Sequence, residues 1–106
     1  MPGIPLSDIL VVAATEHELA PSEGWRTLVC GVGPVDAAAA TAAAIAAERP
    51  RAIVHVGIAG ARRASGLVPP AVVVGVETLY CDLGVPERFA PHRLAAPEAL
   101  IDAVCR

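Results

Sequence analysis

The chain has 106 residues, a length that suits one compact domain and leaves no room for a second. Hydrophobic residues make up 55% of it and aromatic residues only 3%, so the core is expected to be built from Ala, Val, Leu and Ile. A net charge of -3, with no basic cluster beyond Arg62 and Arg63, argues against nucleic-acid binding.

Residues Asp8 to Ala14 form a continuous aliphatic run of strand length, the pattern of a parallel strand covered on both faces. Thr15 to Pro21 follows with a cap residue and a helix breaker, which allows only a short helix. Arg26 to Cys30 reads as a second strand. Gly31-Val32-Gly33-Pro34 then turns the chain into a long helix from about Val35 to Glu48, because Pro34 suits a first helical position. Nine alanines between Ala37 and Ala47 give that helix high intrinsic helicity and a thin surface. Arg49 and Pro50 end it.

Arg51 to Val56 reads as a third strand leading into the turn Gly57-Ile58-Ala59-Gly60, and Ala71 to Tyr80 as a fourth in the same sheet. A last helix runs from Pro97 to Cys105, with Leu100, Ile101 and Val104 at helical spacing. Strands and helices in this order predict an α/β architecture with a parallel or mixed central sheet.

The longest apolar runs fall short of the roughly 18 to 20 residues of a membrane span, and no basic leader precedes a signal-type core. A cytoplasmic protein is therefore expected. Cys30, Cys81 and Cys105 are odd in number, and His17, His55 and His92 are scattered, so neither a disulfide framework nor a metal site emerges.

Gly31 and Gly33 match the first two glycines of a dinucleotide fingerprint, but Asp36 stands where the third would be. An acid in the first helical turn takes the place a phosphate would occupy, so a tight structural turn is preferred to a cofactor site. Glu16 and Glu18 follow the first strand beside His17. From spacing alone they read as a solvated acid pair, although a carboxylate there suits polarising a water. Cys81-Asp82 invites a nucleophile reading, but no histidine lies near in sequence, so a buried structural cysteine is preferred. Arg62 and Arg63 read as a solvated loop pair rather than an anion site.

Ile9 to Glu18 resembles the opening strand and acidic cluster of the purine nucleosidase and nucleoside phosphorylase superfamily. Gly31 to Ala38 resembles its glycine turn and following helix, Val56 to Gly60 its sugar-contacting turn, and Val72 to Gly84 its next strand and aspartate-containing loop. Asp82-Leu83-Gly84 is similar to the futalosine hydrolases of menaquinone biosynthesis, and methylthioadenosine/S-adenosylhomocysteine nucleosidases are also near. The resemblance implies a three-layer α/β half-domain that hydrolyses the N-glycosidic bond of a purine-type nucleoside, without cofactor or metal. Glu18 would help to activate the attacking water, and Ala59, Gly60 and Gly33 would contact substrate. His55 and Ile58 stand where the phosphorylases place an arginine and a serine to hold phosphate, which favours water as the nucleophile.

Two departures accompany the resemblance: Pro21 to Trp25 is too short for the family's early hairpin, and the sequence stops before the family's base-binding region and catalytic aspartate. Residues 1–106 accordingly read as a single truncated domain, poorly active or inactive alone. By analogy with glycosidases, two groups on opposite sides of the sugar are needed, and only the water-side one is present. The alternative is a non-catalytic remnant that binds ligand or oligomerises. Partners are expected to be a ribose-containing small molecule and further copies of the chain, since a half-domain this apolar leaves sheet surface to cover. Any pocket is expected beside Glu18, Gly31 to Gly33 and Gly57 to Gly60, at the carboxyl ends of the strands.

Overall fold

The computed structural model describes residues 3–106, which divide in sequence between Arg62 and Arg63 into two compact units. In the first, three strands form a parallel sheet: β1 (Ile9–Ala13), β2 (Arg26–Val29) and β3 (Ala52–His55). Their order is β2-β1-β3, so β1 is hydrogen-bonded on both edges. Its register sets Val12 beside Leu28 on one side and beside His55 on the other. Being central explains its composition: Ile9, Leu10, Val12 and Ala13 are all buried.

Helix α1 (Pro34–Glu48) makes the crossover from β2 to β3. Pro34 occupies its first turn, Asp36 lies at the positive end of the helix dipole, and Gly33 at the cap has a φ of 97°, which a side chain would strain. Ala37, Ala40 and Ala44 lie on one helical stripe and pack, with Leu28, against the buried cluster of Leu10, Val12 and Cys30. A methyl-only stripe lets the helix axis lie close to the sheet, which is how a core almost without rings fills its space. The helix ends at Arg49, in the left-handed region with a φ of 47°, and Pro50 then prevents continuation. Arg26 of β2 reaches this end, donating to the Glu48 carbonyl at 3.3 Å.

The second unit, Arg63–Arg106, holds a two-stranded antiparallel sheet of β4 (Glu77–Leu79) and β5 (Arg93–Ala95), followed by the short helix α2 (Glu98–Val104). Here the expected fourth strand needs correction. Only three of its residues, Glu77 to Leu79, are strand, and they pair with β5 rather than with the parallel sheet. The run Val72-Val73-Val74 has strong β propensity, but propensity supplies no partner, and Pro69, Pro70 and Gly75 flank it. Pairing begins only where the returning chain meets it. There the Ala96 amide donates to the Val76 carbonyl at 2.9 Å, and the Tyr80 amide to the His92 carbonyl at 2.7 Å. The mixed α/β class stands, and the three-stranded sheet is parallel.

Candidate functional site

The carboxyl ends of β1, β2 and β3 all lie at one edge of the parallel sheet, and each carries one of the segments singled out in the sequence. Beyond β1, Thr15 precedes a 3₁₀ turn over Glu16–Glu18. Gly31 to Gly33 follows β2, and Gly57 to Gly60 follows β3 by one residue.

Glu18 joins two of these segments. Its Oε2 accepts the Ile58 amide at 3.1 Å, and its Oε1 accepts the Thr15 hydroxyl at 2.9 Å. The approach to the glycine turn is close enough that a Cβ on Gly57 would sit 2.8 Å from Oε2, so only glycine leaves the carboxylate where it is. The Ile58 amide first, and then the Thr15 hydroxyl, hold the Glu18 carboxyl below its ordinary value of 4.5. The Thr15 backbone and the electrostatic influence of His55 add to this, and partial desolvation opposes it. Glu18 is therefore an ionised carboxylate at neutral pH. The Ile58 amide, the Thr15 hydroxyl and, more weakly, the Thr15 backbone meet its roughly four acceptor positions, which leaves room for a water or a hydroxyl.

This arrangement corrects the reading of Glu16 and Glu18 as a solvated pair: Glu16 is exposed, whereas Glu18 is part-buried and bonded across 40 residues of sequence. Ala59 and Gly60 are exposed in the same turn, with open space about Gly60, and the amide bonded to Glu18 belongs to their neighbour Ile58. Gly33 serves as the cap of α1, its carbonyl accepting the Ala37 amide at 3.1 Å. Gly31 leans on Asp36, whose Cβ would lie 3.1 Å from a Cβ built there, so the acid side chain fills the space at the start of α1.

From the sequence, Thr15 reads as a cap residue and Gly57 and Ile58 as part of the glycine turn, and neither reading joins them to the Glu18 carboxylate. A signal for the first was present: Thr15-x-x-Glu18 has the spacing of a capping box, in which the acid folds back on the cap residue.

A groove in the second unit is lined by Val76, Ala95, Ala96, Glu98, Ile101 and Asp102, none of which belongs to the segments that follow the parallel strands. Cys81 is exposed rather than a buried structural cysteine, and Cys30 is the buried one. Among the described residues no group of three or more His, Cys, Asp or Glu side chains is placed to hold a metal ion, and no helix is long and apolar enough to cross a membrane.

No curated protein and no solved structure matches the chain. A family model described as the phosphorylase superfamily matches residues 24–106, which leaves β1, Thr15 and Glu18 outside the matched stretch. Since the match runs from the start of β2 through α1, β3 and the glycine turn to the end of the chain, the protein belongs to the phosphorylase superfamily.

Proposed function

We propose that the first unit carries the water side of N-glycosidic hydrolysis of a purine-type nucleoside, with futalosine as a candidate substrate. The superfamily acts on nucleosides. One observation carries the finer reading: an ionised carboxylate, Glu18, is hydrogen-bonded to the amide of the glycine turn that closes β3.

The chemistry suits that group. Departure of the base leaves positive charge on the sugar, and attack by water on such a cation needs orientation and a nearby negative charge more than a strong base. A carboxylate whose protonation is disfavoured is a weak base, but a steady acceptor and counter-charge. Ala59, Gly60 and Gly33 are proposed substrate contacts, where exposed backbone lets a sugar approach. At the places where the resembling phosphorylases hold phosphate, this chain presents His55 and Ile58, and Ile58 offers no hydroxyl.

Glu18 cannot also protonate the departing base, because the two groups lie on opposite sides of the sugar. A positioned acid contributes about 10²- to 10⁴-fold to such a step, so these 106 residues are expected to turn over nucleosides poorly by themselves. The test follows release of free base from futalosine, methylthioadenosine and inosine by the purified chain and by Glu18→Gln. Slow release that falls further in Glu18→Gln supports the reading. Release unchanged by the substitution removes Glu18 from the reaction.

A second reading, a ligand-binding or oligomerising module in the cytoplasm, is favoured by the exposure of Ile58 at 93% and Val72 at 91%. Sedimentation distinguishes it: a strictly monomeric profile at working concentration counts against it.

A further inference from the structure

Glu18 has a flexible side chain and sits in a short turn, yet two well-formed hydrogen bonds hold it, with a weaker contribution from the Thr15 backbone. The Ile58 amide meets Oε2 and the Thr15 hydroxyl meets Oε1. One donor on one oxygen would leave the carboxylate free to swing about that bond. A second donor on the other oxygen sets the plane of the group, and with it the direction of the remaining acceptor positions. Thr15 is suited to the task because its branched Cβ restricts its own rotation. Thr15 also stands on extended backbone at the end of the buried strand β1, with a φ of -135° and a ψ of 160°, so its hydroxyl is presented from the sheet.

We propose that Thr15 is a positioning residue for Glu18: its hydroxyl and the Ile58 amide clamp the carboxylate over the bare Gly57, and the hydroxyl sets the orientation in which the free acceptor positions face a bound water. The proposal rests on the role given to Glu18 above. The clamp itself does not need turnover to be seen.

The hydroxyl donates to Oε1, not to a backbone amide, so it does not cap the 3₁₀ turn, and its loss leaves the fold without an unsatisfied backbone group. The titratable groups about the carboxylate are His55 at the end of β3 and the adjoining Glu16 and His17, of which His55 is the one that influences it.

The experiment follows the Glu18 side-chain carboxyl by carbon-detected NMR through an acid titration, in the full chain and in Thr15→Val and Thr15→Ser. In the unaltered chain the Thr15 side chain and the Ile58 amide should report the same midpoint as the Glu18 carboxyl. In Thr15→Val that midpoint should rise towards 4.5 while the β1 and β3 amides keep their positions, and Thr15→Ser should restore it. In the base-release assay Thr15→Val should lower kcat by about a hundredfold with a smaller change in KM, the loss expected of a misaimed group. A Glu18 midpoint unchanged in Thr15→Val overturns the proposal. If that variant does not fold, a Thr15 side chain that fails to titrate with Glu18 in the unaltered chain overturns it equally. Absence of any base release bears on the nucleosidase reading and leaves the titration to decide the clamp.

Discussion

Replacing Gly57 by alanine adds one methyl group where β3 runs into the glycine turn. The backbone there is not in the left-handed region, so alanine is compatible with its conformation. The added Cβ would lie 2.8 Å from Oε2 of Glu18, against the 3.4 Å at which ordinary contact begins. The atom that must yield is the far end of a side chain rather than backbone, and it has to move by about 0.6 Å. A shift of that size lengthens the 3.1 Å bond to at most about 3.7 Å, so the bond to the Ile58 amide is weakened or lost. Because the Ile58 amide is the leading cause of the lowered Glu18 value, its loss should raise the carboxyl towards 4.5. The assay is NMR of Gly57→Ala. The Ile58 amide resonance should lose its dependence on Glu18 titration, the Glu18 midpoint should rise, and the parallel-sheet amides should stay in place. Any base release should drop by about a hundredfold, the cost of misplacing a group by a fraction of an ångström to one ångström. An Ile58 amide and a Glu18 midpoint both unchanged by the methyl group would show that the close approach is not what holds the carboxylate.

Leu10→Ala removes a large side chain that is 0% exposed, from the middle strand, and should destabilise the chain by about 2 to 5 kcal/mol in urea unfolding. Arg49→Gly relieves a side chain held at positive φ and should stabilise the end of α1 by about 1 kcal/mol, read as a higher Tm. The Glu18 carboxyl is lowered in the folded chain, so its contribution to stability is fully present above 4.5 and is lost as pH falls through the lower folded value. Unfolding midpoints measured from pH 6 to pH 3 should therefore decline less steeply in Glu18→Gln.

The parts legible in the sequence were those set by local pattern. The aliphatic run at Asp8 to Ala14 became β1 at Ile9–Ala13, and the Gly-Pro start and Arg-Pro stop bounded α1 to within a residue. The fourth strand was misread because a run such as Val72 to Val74 records what a chain tolerates, not what lies beside it. The site divided in the same way. Glu18 and the turn at Gly57 to Gly60 were each visible as segments, and a resemblance linked them to one chemistry. That Oε2 meets the Ile58 amide, and that Gly57 must be bare for it to do so, follows from the parallel pairing of β1 with β3, a relation between residues far apart in the chain. Thr15 was the exception, since its spacing from Glu18 carried a local signal that was read only as a helix cap.

The strand order β2-β1-β3 has a consequence for the nascent chain. β1 is made first, yet it lies between its neighbours, and its pairing partner Ala52 follows Ile9 by about 40 residues. At roughly 5 to 20 residues per second the ribosome needs about 2 to 9 s to supply β3, and for that interval the buried strand β1 has at least one open edge. The longer that interval, the longer the open edge of β1 is available to pair with the wrong strand.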